Sequence, residues 1–119
     1  WVLTSLDVGG NRLAEEAALS IVRVERQRNK LTSLGVGACG IGPDGAAEIA
    51  EYVSGSEVLT TLSISENSIG DEGAVAIAEA LRGNKVLKSI NLKYNNLGDE
   101  GKGAIRDAVS GRVGFELEM

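Results

Sequence analysis

Large aliphatic residues recur along this chain at a fixed interval of 28 residues. Within each interval, apolar residues stand three, five and ten positions after the first leucine, and an asparagine or cysteine stands eight positions after it. The apolar columns are Leu3, Leu31, Leu59 and Leu87; Leu6, Leu34, Leu62 and Ile90; Val8, Val36, Ile64 and Leu92; and Leu13, Ile41, Ile69 and Leu97. Such a period is typical of repeat architectures. We place the repeats at residues 3–30, 31–58, 59–86 and 87–114.

The pattern of apolar residues in each repeat predicts a short strand followed by a helix. Leu62 and Ile64 alternate with small polar residues, as in a half-buried strand. Residues 74–81 carry apolar side chains three and four positions apart, which places them on one face of a helix. Because a helix separates successive strands, we expect parallel strands in stacked repeats. Residues 115–119 leave the 28-residue register but alternate again, which predicts a final capping strand.

The columns spell L-x-x-L-x-[VIL]-x-x-[NC]-x-[LI] four times without insertion. This pattern resembles that of leucine-rich repeat proteins. The period of 28, with residues 69–81 and 97–101, resembles the ribonuclease-inhibitor-like subfamily, as in the repeat regions of NOD-like receptors and the Ran GTPase-activating protein. The resemblance implies an α/β solenoid, a horseshoe arc with parallel strands on the concave side and α-helices on the convex side. It also implies an inward-facing hydrogen-bonded ladder of Asn11, Cys39, Asn67 and Asn95.

Glycines and acids fall into the same register and predict helix ends. We expect one glycine column to cap helix starts and another to end helices in the left-handed conformation; these are Gly42, Gly70 and Gly98, and Gly55, Gly83 and Gly111. Acidic pairs such as Asp71 and Glu72 follow in the first helical turn, where the helix dipole favours negative charge. This position indicates a structural role for the pairs, in preference to catalysis or metal binding.

The amino-acid composition excludes several kinds of catalytic and metal-binding site. The absence of histidine excludes a Ser-His-Asp triad, a Cys-His pair and most zinc sites. Cys39 is the single cysteine, so no internal disulfide can form, and we interpret it as a structural thiol. We therefore predict no enzyme activity, no cofactor and no metal. A reducing intracellular compartment is expected, the cytoplasm first, with organelles left open because the chain begins at Trp1 and not at Met.

The chain is acidic, with a net charge of −5, which gives no reason to expect nucleic acid or an anionic membrane as a partner. Its longest uncharged stretch, residues 31–43, is too short to insert across a bilayer. We interpret the basic run at residues 23–30 as the solvated end of the first helix, with an anion or partner contact as the alternative. Glu25 stands in a column that is apolar in later repeats, which predicts a less buried first helix.

The expected binding surface is the concave face with its rim. Its side chains are small and polar until Glu66, Lys93 and Tyr94, and Tyr94 is the best anchor because tyrosine is enriched in interface hot spots. The candidate partner-binding residues are Asp7, Ser33, Thr61, Ser63, Glu66, Ser89, Asn91, Lys93 and Tyr94. The hydroxyl column Ser5, Ser33, Thr61 and Ser89 suits cross-strand hydrogen bonding.

The first strand opens directly at Trp1. Solenoids need their terminal faces covered, so we expect either a longer natural chain or a partner contact at Trp1. Three functions stay open. The sequence favours a non-catalytic protein-protein interaction module or scaffold. A structural or accessory subunit of a larger assembly is the alternative, and a GTPase-activating regulator resembling the Ran activator is less favoured.

Overall fold

The computed structural model describes residues 4–9 and 15–119, in which strands and helices alternate. The strands are β1 (Ser5–Asp7), β2 (Ser33–Gly35), β3 (Thr61–Ser63), β4 (Ser89–Asn91) and β5 (Glu116–Glu118). The helices are α1 (Glu15–Arg28), α2 (Gly42–Gly55), α3 (Gly70–Gly83) and α4 (Asp99–Ala108). This order confirms the predicted α/β solenoid.

In the described part of the chain, the strands form one five-stranded parallel sheet in chain order. The register follows the repeat period, with Ser33 opposite Thr61 and Thr61 opposite Ser89. β5 extends the sheet beyond the last full repeat, with Glu116 opposite Ser89. Residues equivalent in the repeat are therefore neighbours across the sheet.

The core lies between the sheet and the helices and consists of the predicted aliphatic columns. Leu31, Leu59 and Leu87 have no exposed surface, and Leu34, Leu62 and Ile90 have almost none. The predicted inner faces of α2 and α3 are also buried; these residues are Ala46, Ile49, Ala50 and Val53, and Ala74, Ile77, Ala78 and Leu81. Each repeat thus buries its apolar surface against the neighbouring repeats as well as within itself.

Glycine allows α2 and α3 to approach each other closely. A Cβ atom at Gly73 would lie 3.0 Å from the Ala46 Cβ and 2.8 Å from the Ile69 Cβ. Gly101 occupies the same column in α4, where a Cβ would lie 3.1 Å from the Ala74 Cβ. This glycine column therefore leaves room for the neighbouring helix.

The other two glycine columns differ in part from the prediction. Gly98 is the N-cap of α4, but α2 and α3 begin at Gly42 and Gly70, which have positive φ values of 67° and 63°. The left-handed ending is present only at Gly111 of its column, with φ of 82°. It is wrong for the glycines that end α2 and α3, because the chain continues there in an extended conformation at Ser56 and Asn84.

The expectation that Glu25 leaves the first helix less buried is wrong at that residue. Glu25 is only 6% exposed, and its carboxylate pairs with Arg28 on the same helix. Tyr52 of α2 is buried nearby, and its hydroxyl has no hydrogen-bond partner among the described residues. Burial, with a smaller contribution from Glu25, raises the pKa of Tyr52 to about 12. A polar cluster therefore occupies a position that later repeats fill with aliphatic residues.

The basic run of α1 forms ion pairs with the next helix. Arg23 lies 2.8 Å from Glu48, and Arg26 lies 3.0 Å from Glu51. The bond to Glu48 raises the pKa of Arg23, which keeps the guanidinium charged. The run is solvated, as predicted, but it also links α1 to α2. None of the described helices is long and apolar enough to cross a bilayer.

We predict that Gly73→Ala destabilises the protein by about 1–3 kcal/mol, because the added methyl group overpacks the contact between α2 and α3. Gly103→Ala is the matched control, since a Cβ at this exposed site in α4 meets no heavy atom within 4 Å. The control should gain up to about 1 kcal/mol from the better helix propensity of alanine. Urea unfolding measures both changes, and equal stability of the two variants would contradict the packing argument.

Candidate functional site

The concave face of the sheet is built from two columns of outward-facing residues. The columns are Ser5, Ser33, Thr61, Ser89 and Glu116, and Asp7, Gly35, Ser63, Asn91 and Glu118. Since neighbouring strands lie about 4.8 Å apart, the five strands make a surface roughly 20 Å wide. The structure thereby brings the candidate strand residues onto one face. Lys93 follows β4 on this face, and Glu66 and Tyr94 stand in the turns at its rim.

Side-chain hydroxyl bonds between strands come from the residue before the predicted column, at Thr32 and Thr60. Thr32 Oγ1 donates to the Thr4 carbonyl at 3.2 Å, and Thr60 Oγ1 donates to the Thr32 carbonyl at 3.1 Å. Within the described chain, the hydroxyls of Ser33, Thr61 and Ser89 make no such bond. The threonines are placed to reach the preceding strand. Among the described residues, the Ser33, Thr61 and Ser89 hydroxyls therefore do not take part in this ladder.

The concave face is acidic at both ends. Asp7 accepts a hydrogen bond from the Gly9 N–H at 2.8 Å, and its carboxylate lies over Gly35, where a Cβ would be only 2.7 Å from Oδ1. At the other end Lys93 lies 3.7 Å from Glu118, and both side chains are half-exposed. Glu116 adds a further negative charge beside this pair. Carboxylates therefore lie at both ends of this face.

A turn with unusual backbone geometry follows each of the strands β2, β3 and β4 and forms the rim. Ala38, Glu66 and Tyr94 are equivalent residues with positive φ values of 55°, 56° and 61°. Ser68 and Asn96, two residues further on, have values of 53° and 47°. The left-handed conformation costs a non-glycine residue about 1–2 kcal/mol. The turns therefore need other interactions to hold them.

The amide of Asn67 supplies these interactions. Its Oδ1 accepts hydrogen bonds from the N–H groups of Cys39 at 2.8 Å and Ile41 at 3.3 Å, in the turn of the preceding repeat. Its Nδ2 donates to the carbonyls of Val36 and Ile64, both at 3.0 Å. One buried side chain thus links two successive turns.

The next residue of the column repeats this arrangement. Asn95 Oδ1 accepts from the Asn67 N–H at 2.8 Å, and its Nδ2 donates to the carbonyls of Ile64 and Leu92. The Cys39 thiol is buried and donates to the Gly37 carbonyl at 3.4 Å. Burial, with a smaller contribution from Asp7, raises the pKa of Cys39 and keeps the thiol protonated. Asn11 and Trp1 lie outside the described residues.

A second polar column lies where the helices end, and the sequence analysis missed it. Asn84 Oδ1 accepts from the N–H groups of Val86 and Leu87, and its Nδ2 donates to the Val53 carbonyl at 2.6 Å. Ser56 accepts from the Leu59 N–H, and Arg112 donates to the Leu87 carbonyl at 2.6 Å. The residues are spaced by 28 positions, so the repeat period was the signal that could have identified them.

Tyr94 dominates the rim at the carboxyl ends of the strands. Its side chain is 77% exposed and borders an open cavity of about 220 Å³. Lys102, Asn96 and Met119 line the same cavity. An exposed aromatic ring beside a depression can contribute apolar contact and a hydroxyl to an interface.

In the acidic pair at the start of α3, Asp71 has a structural role. Asp71 Oδ1 accepts hydrogen bonds from the N–H groups of Gly98 at 2.6 Å and Gly101 at 3.1 Å, so it caps the next helix, α4. In the part of the chain that the structure describes, no group of three or more histidine, cysteine, aspartate and glutamate residues is arranged to hold a metal ion.

Stacked strand-helix repeats with an inward-facing ladder of asparagine amides are characteristic of leucine-rich repeat solenoids. A leucine-rich repeat family model matches residues 28–50, 55–78 and 83–105, more than half of the chain. The chain therefore belongs to the leucine-rich repeat family. Domains of this family are generally protein-interaction modules and typically non-catalytic.

Among solved structures, the chain is similar to leiomodin-1 actin-binding site 2, with a TM-score of 0.86 and 17% sequence identity. The match covers 97% of this chain and 69% of that chain. At this identity the likeness shows the shared fold. A comparison with curated protein sequences finds no significant match.

We predict that Asn67→Ala lowers the free energy of unfolding by about 3 kcal/mol or more, because several buried backbone groups lose their partner. Asn91→Ala is the matched control, since this half-exposed residue accepts one hydrogen bond, from the Lys93 N–H. The control should cost about 1 kcal/mol or less. Chemical denaturation followed by circular dichroism compares them. Equal losses would show that the inward amide has no special role.

Proposed function

We propose that this chain is a non-catalytic interaction module that binds a protein through its concave face and the Tyr94 rim. The observation that carries the proposal is the exposure of Tyr94 beside the cavity at the end of a continuous polar sheet surface. Aromatic anchors surrounded by polar contacts are typical of binding surfaces. The sheet places Thr61 and Ser63 at the centre of that surface.

Charge indicates the kind of partner surface. Asp7, Glu66, Glu116 and Glu118 are opposed on this face by Lys93. We therefore expect the partner to present basic and hydroxyl-bonding groups, and the association rate to fall as salt screens the attraction.

The experiment compares wild-type protein with Thr61→Arg, which places a long cation at the centre of the concave face, and with Tyr94→Ala. Each immobilised variant captures proteins from an extract of the native source, and mass spectrometry quantifies them. Both variants should lose about tenfold or more of a specific partner, as expected when a hot spot is removed or blocked.

Val24→Arg and Val24→Ala are the matched controls, because Val24 is 57% exposed on α1 and lies away from the sheet. They should retain the partner. The proposal fails if the concave variants capture the same proteins as the wild type, or if the controls lose them equally.

Actin is one defined probe, since the matched leiomodin-1 structure is titled an actin-binding site. Actin binding counts for the proposal if Thr61→Arg abolishes it and Val24→Arg keeps it.

The rate at which the bound partner exchanges distinguishes an interaction module from an assembly subunit. A partner that leaves and rebinds within a purification favours the module, and a stoichiometric complex that does not exchange favours the subunit.

A further inference from the structure

The opposite rim, at the amino ends of the strands, carries a groove that the proposed function does not use. The groove has a volume of about 500 Å³ and is formed by the last repeat and the residues that flank it. Its lining consists of Lys85, Leu87, Lys88, Arg112, Val113, Gly114 and Phe115. Lys88 precedes β4, whereas Tyr94 follows it, so the two surfaces lie at opposite ends of the strands.

Three cations surround this groove without a carboxylate partner. Within the described residues, Lys85, Lys88 and Arg112 form no ion pair. The two lysines are exposed. In the part of the chain that the structure describes, no acidic residue lines the groove, although the net charge of the chain is −5. The positive charge is therefore local.

Arg112 is held in place. Its guanidinium donates to the carbonyls of Leu81 at 3.3 Å and Leu87 at 2.6 Å and lies 4.7 Å from the centre of the Phe115 ring. Two of its five donor hydrogens are used in these bonds. The guanidinium charge is therefore fixed in the wall of the groove, so little side-chain entropy is lost when an anion binds there.

An apolar patch accompanies the cations. Val113 is fully exposed, in contrast to the buried aliphatic residues of the repeats. Gly111 and Gly114, with φ of 82° and 78°, bracket the short segment that displays it. Phe115 lies half-buried beside it in the same groove. The groove therefore offers an apolar contact as well as positive charge.

We propose that this groove binds an acidic, extended segment of a partner protein that carries an apolar side chain between its carboxylates. Charge complementarity with the three cations selects the acidic residues, and Val113 and Phe115 receive the apolar one. A flat anionic membrane fits less well, because Glu116 faces the adjoining concave surface and would repel it. The site is independent of the Tyr94 rim.

The test uses the whole chain and a fluorescein-labelled peptide, Asp-Glu-Asp-Leu-Glu-Asp-Glu, in an anisotropy titration at low salt. The peptide should bind, and Lys85→Glu combined with Lys88→Glu should weaken binding about tenfold or more, because attraction becomes repulsion. Val113→Ser, and replacement of the peptide leucine by serine, should each weaken binding about threefold or more through lost apolar burial.

Lys30→Glu combined with Arg106→Glu is the matched control, since both residues are exposed, lie outside the groove lining and change the net charge equally. This control and Tyr94→Ala should bind as the wild type does. Circular dichroism establishes folding, and Lys85→Gln with Lys88→Gln provides a milder variant if the charge reversal unfolds the protein.

Three results would overturn the proposal. The first is no binding of the acidic peptide at millimolar concentration. The second is equal weakening by the groove and control variants. The third is equal binding of a single-stranded oligonucleotide or an anionic vesicle, which would indicate attraction of any polyanion.

Discussion

The buried amide of Asn67 is the interaction on which the stacked repeats most depend. It satisfies N–H groups of one turn and carbonyl groups of two, in a position with no exposed surface. Each buried backbone group left unpaired would cost about 1–3 kcal/mol. The same turns contain non-glycine residues in the left-handed conformation, including Glu66. The amide holds these turns and thereby fixes where the rim side chains project.

Two polar columns, one at each end of the strands, explain why the Tyr94 rim and the basic groove lie at opposite ends of the strands. The asparagine ladder follows the strands and supports the rim with Tyr94. The column of Ser56, Asn84 and Arg112 precedes the strands, and its last member changes from a short polar residue to an arginine. That change brings a fixed cation close to β5, which pairs with β4. The last described repeat therefore differs in charge and shape from the repeats before it.

The 28-residue period was sufficient to predict the fold, the core columns and the strand register, because each repeat imposes the same burial pattern on its neighbours. Residues whose partners come from another repeat were less predictable. Glu25 departs from an apolar column, yet it is buried, because it pairs with Arg28 and lies near Tyr52 of the next repeat. Gly55 was expected to be left-handed, but polar Ser56 takes the extended position after α2. Asp71 caps the following helix and not only its own. The basic groove likewise joins residues from both sides of β4, which no local motif indicates.

Hydrogen exchange measured by NMR tests the central role of the inward amide most directly. The N–H groups of Cys39 and Ile41 donate hydrogen bonds to Asn67 Oδ1. The account predicts that their amide hydrogens exchange as slowly as that of Leu34, a buried residue of β2. Gly40, an exposed residue between them, should exchange rapidly. If Cys39 and Ile41 exchanged as fast as Gly40, the turns would open without unfolding of the sheet, and the amide could not be what holds them.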